Sequence, residues 1–338
     1  MKHWTNWLAA SALALAAPAT ADELKMATIA PGTSAYLVMS TMATLVNQGQ
    51  DAHNITVDAT GAATKHMIDL AKGNLDFAMT SPTIYFLMQK QKAMYQKLAD
   101  APELSKNLSL VFWFPYGQYH VLSYAEDGLT SLEDLRGKTV FLGPPGGGAW
   151  NAAKGWVEAQ TGMKPGEDYD NFKASWSSAL QAFQDRQIDV FINGGIAPFP
   201  QVEQLAATSE LRILGPTCTE FEAQPEEMRA PTIGRGREKG VIPAGIYGDN
   251  VVNTKDICTL GAVVGVTTRT DMDADVVYEI TKAFWEGAEG MRGTAPWMEK
   301  VTLDYAVHEG GMALHPGAQR YYEEIGQAIP DGSMAMSN

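Results

Sequence analysis

The sequence predicts an α/β fold made of two lobes of similar plan. Between Leu24 and Met79, short apolar runs alternate with helical periodicity in the order β-α-β-α-β, which is typical of a parallel, doubly wound sheet. Residues 183–192 then repeat the pattern of residues 70–79, with a helix end, a tight turn, an aspartate and a buried strand. Coincidence between two such corners is the alternative explanation. The chain of 338 residues is long enough for two lobes.

Apolar periodicity and turn residues predict the first elements. Strands are predicted at 24–29, 54–60 and 75–79. The helix that starts near Ala35 carries apolar residues at 38, 42, 45 and 46, which share one face. A second helix, 64–72, ends at Gly73, a residue favoured just past a helix C-terminus.

The second half of the chain repeats this alternation. A strand at 139–142, the glycine-rich loop 143–148 and a helix at 149–161 are predicted in order. Residues 216–257, rich in Gly, Pro and charge, are predicted to be a long irregular connection back to the first lobe. A strand at 259–267 and helices at 273–291 and 314–325 follow. Lobe 1 is thus predicted to comprise 22–124 plus about 246–338, and lobe 2 about 125–245.

Residues 1–21 have the pattern of a cleavable secretory signal peptide. Lys2 and His3 supply a basic start, residues 8–17 are apolar, and Ala19-Thr20-Ala21 is a small-x-small cleavage site. A buried N-terminal helix is the alternative. The pattern predicts export to the periplasm. No second apolar run reaches the roughly 18 residues that a membrane span needs.

Charge and cysteine content restrict the function further. The formal net charge of −14 argues against nucleic-acid binding and against docking on an anionic membrane. Outside the predicted signal peptide, Cys218 and Cys258 can form a disulfide in an oxidising compartment or remain two buried free thiols. Neither lies in a CxxC motif, so a redox or zinc role has no support.

Motifs for catalysis, metal binding and nucleotide binding are absent from the sequence. There is no HExxH, no GxSxG and no P-loop, so we expect no catalytic residues, no metal and no cofactor. The loop Gly143-Pro-Pro-Gly146-Gly147-Gly148 precedes a helix, where backbone N–H groups can bind an anion. A structural tight turn is the alternative for this loop. The aromatic run 112–116 is expected in the core, or else on a strand that lines a ligand cleft.

Several segments, in order along the chain, resemble the TAXI-class solute-binding proteins of TRAP transporters. They are Gly32-Thr33-Ser34-Ala35-Tyr36, Ala59-Thr60-Gly61, Leu70-Ala-x-Gly73-x-Leu75-Asp76-Phe77-Ala78, Ser131-Leu-x-Asp134-Leu-x-Gly137-Lys138, Gly143-Pro-Pro-Gly146 and Leu314-His315-Pro316-Gly317-Ala318-x-Arg320-Tyr321-Tyr322. The resemblance implies a two-lobed periplasmic-binding-protein fold of the second type, with the ligand in a cleft between the lobes. It also implies a monomer that delivers a small organic carboxylate to a TRAP membrane permease.

The resemblance and the loop positions together give a predicted ligand site. Its residues are Thr33, Ser34, Tyr36, Thr60, Gly61, His66, Thr80, Ser81, Gly146, Gly147, Gly148, Ala149, Trp150, Asn193, Gly194 and Phe199. Four positions that are hydroxyl or amide in the family are apolar, basic or aromatic here. We therefore expect a less polar anion than glutamate, with its apolar part near Trp150 and Phe199 and its carboxylate on the amides of Gly146 to Ala149. A sensor subunit for a membrane histidine kinase, or a periplasmic enzyme on the same scaffold, is the alternative function.

Overall fold

A computed structural model describes residues 21–234 and 236–335, so the predicted signal peptide lies outside the described residues except for Ala21. The strands are β1 Asp22–Ala27, β2 His53–Asp58, β3 Phe77–Thr80, β4 Leu108–Tyr124, β5 Thr139–Phe141, β6 Asp170–Asn171, β7 Val190–Gly195, β8 Leu211–Ile213, β9 Arg237–Ile242 and β10 Ile257–Arg269. The helices are α1 Ser34–Gly49, α2 Ala63–Ala71, α3 Pro82–Gln89, α4 Ala101–Ser105, α5 Gly148–Thr161, α6 Trp176–Gln184, α7 Pro200–Ala206, α8 Cys218–Ala223, α9 Glu226–Arg229, α10 Ala274–Glu289, α11 Leu303–Ala306 and α12 Pro316–Glu324.

The strands form one mixed sheet with two parallel halves. The order is β2-β1-β3-β10-β4-β7-β5-β6, with β8 paired to β4 and β9 paired to β10. Strands β2, β1 and β3 are parallel, and so are β7, β5 and β6. The long strands β4 and β10 run antiparallel to each other between the two halves. The predicted α/β fold is therefore confirmed, with an antiparallel centre in addition.

Strand β4 connects the two halves by changing partners along its length. Residues 108–115 pair with β10, whereas residues 118–124 pair with β7 and β8. Between these stretches Gly117 has a φ of +96°, and a Cβ there would lie 2.2 Å from the carbonyl carbon of Gly195. Only glycine fits this close approach. The partner change falls inside the span assigned from sequence to lobe 1, and the division into lobes stays a prediction.

The two corners that the sequence repeats have the same hydrogen bonds. Asp76 Oδ2 accepts from the backbone N–H of Lys25 at 2.8 Å, and Asp189 Oδ2 accepts from that of Thr139 at 2.7 Å. Gly73 and Arg186, at equivalent positions of the turn, both have positive φ. Each aspartate therefore ties its own strand to the neighbouring parallel strand, β1 in one half and β5 in the other.

The aromatic run lies on β4. Phe112, Trp113 and Phe114 are fully buried, and Phe112 stacks on Phe284 of α10 with ring centroids 4.7 Å apart. These rings therefore anchor the helices that cover the first half of the sheet.

The structure corrects the prediction that residues 216–257 are irregular. They contain α8, α9 and strand β9, which pairs with β10 along its whole length. A disulfide joins Cys218 at the start of α8 to Cys258 of β10. The sequence signal for β9 is weak because its residues, Arg-Glu-Lys-Gly-Val-Ile, are half charged. Such composition is typical of a strand that has a neighbour on one side only.

Candidate functional site

A cavity of about 130 Å³ lies at the carboxyl ends of parallel strands from both halves of the sheet, where α/β proteins bind ligands. Residues from both predicted lobes line it. They are Ile29, Gly61, Ala62, Ala63, Thr64, Met79, Ser81, Thr83, Ile84, Leu87, Met94, Tyr116, Tyr119, Pro144, Gly147, Gly148, Ala149, Asn151, Ala152, Trp176, Gly236, Arg237, Leu260, Ala262, Val263 and Val264.

Most of the cavity wall is apolar, and several of its polar side chains already have protein partners. Ser81 Oγ accepts from the N–H of Ile84 at 3.1 Å and so caps α3. The Tyr116 hydroxyl donates to Asn193 Oδ1 at 3.3 Å. Asn151 Nδ2 donates to the carbonyl oxygen of Gly147 at 3.0 Å. These groups are used in holding the wall together.

Arg237 is the only residue with a charged side chain among the described residues that line the cavity. Its guanidinium forms no ion pair with a described residue. Burial raises the pKa of the neighbouring Tyr119, so that hydroxyl stays protonated and does not neutralise the arginine. The positive charge is therefore available to an anionic ligand.

The turn before β9 fixes the place of Arg237. Gly236 has a φ of +68°, and a Cβ there would lie 2.7 Å from Cδ of Pro82, the first residue of α3. The backbone carbonyl of Gly236 accepts from Val263 of β10 at 2.9 Å. Close packing on α3 and pairing with β10 thus hold the start of β9 at the cavity.

The glycine loop after β5 also reaches the cavity. Gly147 is the N-cap of α5, and no side chain caps this helix start. The first N–H groups of a helix have no partner within the helix and carry partial positive charge. Gly147, Gly148 and Ala149 line the cavity. The loop therefore adds donors to the same space that Arg237 borders.

Five of the residues predicted from the sequence line the cavity, namely Gly61, Ser81, Gly147, Gly148 and Ala149. The other predicted residues lie outside the lining: Thr33, Ser34, Tyr36, Thr60, His66, Thr80, Gly146, Trp150, Asn193, Gly194 and Phe199.

Several of the predicted residues that lie outside the lining form side-chain hydrogen bonds with other parts of the protein. Thr33 Oγ1 caps α1 by accepting from the N–H of Tyr36 at 3.2 Å. The Thr60 hydroxyl donates to Asp58 Oδ1 at 2.7 Å. Trp150 Nε1 donates to Asn171 Oδ1 at 3.4 Å. Their polar atoms therefore shape the loops around the cavity.

His66 lies close to the cavity lining without being part of it. A Cβ at Gly61, which does line the cavity, would lie 3.0 Å from His66 Nε2. The imidazole is buried, and this burial lowers the pKa of His66 below its usual value. It is therefore held neutral behind the wall.

The side chains of Ser34 and Asn193 form hydrogen bonds between the two halves of the sheet. Ser34 Oγ accepts from the N–H of Ile196 at 3.0 Å. Asn193 Nδ2 donates to the carbonyl oxygen of Gly32 at 3.3 Å and to Gln201 Oε1 at 2.9 Å. Because Asn193 also accepts from Tyr116, this network connects the cavity wall to the contact between the halves.

The sequence reasoning missed most of the lining. Arg237 falls in the segment that was predicted to be irregular, and nothing in its local sequence distinguishes it from surface arginines. Tyr119 and the stretch 260–264 come from β4 and β10, whose inward faces depend on long-range pairing. Among the missed residues, Tyr116 and Pro144 had a signal, since Tyr116 ends the aromatic run and Pro144 lies in the glycine-rich loop.

Within 21–234 and 236–335, no group of three or more His, Cys, Asp or Glu is arranged to hold a metal ion. Over the same residues, no helix combines the length and apolar character that crossing a membrane requires.

Solved structures of other proteins align with this chain over most of its length. One solved structure, described as that of a periplasmic transporter, aligns with a TM-score of 0.54 at 14% identity over 92% of this chain and 94% of that chain. The alkanesulfonate-binding protein SsuA from Xanthomonas axonopodis pv. citri, bound to MOPS, aligns at 0.49 and 16% identity over 91% and 84%. A TRAP periplasmic solute binding protein from Ralstonia eutropha H16, with bound (S)-2-acetolactate, aligns at 0.45 and 12% identity over 89% and 90%.

At these identities the similarity concerns the fold alone, which this chain shares with the structure described as that of a periplasmic transporter. The sequence evidence is more specific. The model of the NMT1-like family matches residues 26–326, which is most of the chain. The chain therefore belongs to the NMT1-like family.

Proposed function

We propose that the chain is a periplasmic solute-binding protein that captures a small organic anion and delivers it to an ion-coupled membrane permease. The observation that carries the proposal is Arg237, a cation that forms no ion pair with a described residue and that borders a mostly apolar cavity. An unpaired charge beside apolar surface is costly to bury, and an anionic ligand offsets that cost. The fold that the chain shares with a structure described as that of a periplasmic transporter supports this assignment.

We further propose a TRAP permease of the TAXI type as the membrane partner, with the binding protein acting as a monomer. The support is the set of TAXI-like segments, of which Leu314-His315-Pro316-Gly317 is among the more specific. The signal-peptide pattern of residues 1–21 supports a periplasmic location. A permease gene beside the gene for this chain would agree with transport, whereas a histidine-kinase gene would favour the sensor alternative.

Calorimetric titration of the purified protein with a broad panel of organic acids, sugars and amines tests the proposed function. We expect at least one organic acid to bind, and Arg237→Gln to weaken it by about ten-fold or more, because a hydrogen bond to a charged group contributes roughly 1.5–3 kcal/mol. Arg136→Gln is the matched control, since Arg136 pairs with Asp168 on the surface away from the cavity.

Two results would contradict the proposed function. One is that no acid of the panel binds while a neutral or cationic solute does. The other is that Arg237→Gln and Arg136→Gln leave the affinity equally unchanged. Mass spectrometry of the acid recovered after incubation tests the enzyme alternative, which requires that the acid be chemically altered.

A further inference from the structure

The cavity also restricts which organic anion it can take, an inference that rests on the proposed function. Its volume is about 130 Å³. An engineered apolar cavity of roughly 150 Å³ holds one benzene molecule. A body the size of a single six-membered ring therefore fits in this space.

The wall offers little to a ligand with many polar groups. Ile29, Met79, Ile84, Leu87 and Leu260 present hydrocarbon or thioether surface. Ser81 Oγ already accepts from the N–H of Ile84, and the Tyr116 hydroxyl already donates its proton to Asn193 Oδ1. Each ligand hydroxyl or amine that loses water here without a partner costs roughly 1–3 kcal/mol. Sugar acids are therefore disfavoured.

The charge of the lining sets the charge of the ligand. Arg237 supplies one positive charge, and none of the described lining residues is acidic. An ammonium group would find no carboxylate to pair with, and a second carboxylate would find no second cationic side chain, since the amides at the start of α5 supply only partial positive charge. A buried charge without a partner is strongly unfavourable. Amino acids and dicarboxylates are therefore disfavoured as ligands.

Two aromatic rings on β4 form one wall beside the arginine. The ring centroids of Tyr116 and Tyr119 lie 6.0 Å apart with their planes tilted by 50°. Both side chains are buried, with about 3% of their surface exposed. Met79 and Met94 contribute flexible thioethers, which adapt to irregular apolar shapes and make favourable contacts with aromatic groups. This lining suits a compact ring better than an extended polar chain.

We propose that the ligand is a monoanion with one compact hydrocarbon body of single-ring size, whose oxyanion group pairs with Arg237. Benzoate and cyclohexanecarboxylate represent this class. A carboxylate and a sulfonate share the required chemistry, so benzenesulfonate is the third probe. No bond is made or broken, because the site only binds.

Calorimetric titration with matched probes tests this inference. We expect benzoate or cyclohexanecarboxylate to bind about ten-fold or more tightly than succinate, glutamate and glucuronate. Benzamide has the shape of benzoate without its charge and should bind about ten-fold more weakly. Arg237→Gln should remove that difference between benzoate and benzamide, whereas Arg136→Gln should keep it. Benzenesulfonate against benzoate then decides which oxyanion the site prefers.

The outcomes separate this inference from the function on which it rests. If succinate or glutamate binds most tightly and depends on Arg237, the single-charge inference is wrong while anion capture stands. If benzamide equals benzoate, the ion pair with Arg237 is wrong, and anion capture at this cavity is wrong with it. If none of these probes nor any other organic acid binds, both proposals are contradicted.

Discussion

Gly194, a residue predicted from sequence to bind the ligand, lies outside the cavity lining and against a residue of its wall. A Cβ at this position would lie 2.1 Å from Cε1 of Tyr116, so a larger residue would displace that ring. The bare backbone lets Tyr116 lie against β7, where its hydroxyl reaches Asn193. Gly194 and Asn193 thus position a residue of the cavity wall. The position of these two residues at the end of a buried strand indicated a ligand site in the sequence. It could not indicate which atoms face the ligand.

His120 is a buried residue whose neutral form the fold requires. Its Nε2 lies 2.7 Å from the Tyr247 hydroxyl and its Nδ1 lies 2.8 Å from the carbonyl oxygen of Gln118. That hydroxyl also accepts from the N–H of Phe199 at 3.0 Å. Burial lowers the pKa of His120 to about 4. The network therefore holds the Tyr247 side chain against Phe199, which lies in the loop that follows β7.

This pKa predicts that acid destabilises the protein. Between pH 6.5 and pH 4 the unfolded chain holds a proton on His120 that the folded chain does not, so the free energy of unfolding falls as the pH falls. The contribution of His120 is fully present above about pH 6.5, and about 3 kcal/mol of it is lost by pH 4. Urea unfolding at pH 7, 5.5 and 4 should show a shallower pH dependence for His120→Gln than for the unchanged protein. Equal slopes for the two proteins would contradict the assignment.

At the scale of elements, the start of α5 borders the cavity while the middle of the same helix does not. A Cβ at Gly148 would lie 3.6 Å from Ile84 Cδ1, and Ile84 lines the cavity. A Cβ at Gly155 would meet nothing within 4 Å. Neither glycine has a positive φ, so both positions accept a side chain without backbone strain.

Leucine at these two positions provides a matched test of where ligands bind. In Gly148→Leu the added carbons extend toward Ile84 and occupy cavity space, so we expect organic-acid binding to weaken by about ten-fold or more. Gly155→Leu should bind like the unchanged protein. Thermal unfolding of both variants checks that they are folded. Binding by Gly148→Leu that equals that of Gly155→Leu would exclude the cavity as the ligand site.

The elements that could be predicted from sequence are those with a local signal. Strands β1, β2 and β3 have apolar runs and sit between helices with clear periodicity, and the repeated Asp76 and Asp189 corners share their hydrogen bonds. Strand β9 had no such signal, because it begins Arg-Glu-Lys and pairs on one side only. Arg237 was missed for the same reason, although it carries the proposed function.

For the whole molecule, the sequence indicated that ligand chemistry lies where strands end at loops, and the cavity does lie at the carboxyl ends of parallel strands. What it could not indicate is how β4 and β10 cross between the halves. Their crossing brings Tyr119 and Leu260 to the same wall as Gly148, although these residues are far apart in the chain. Only long-range pairing creates that wall, so its apolar character had no local signature.

The central claim is that one organic anion occupies this cavity with its charge at Arg237. The most direct measurement is a crystal structure of the protein in complex with the acid that binds most tightly in the calorimetric panel. We predict one ligand in the cavity, with an oxyanion group within hydrogen-bond distance of the Arg237 guanidinium and a hydrocarbon body against Tyr116 and Tyr119. A ligand bound elsewhere, or one whose oxyanion points away from Arg237, would contradict the claim.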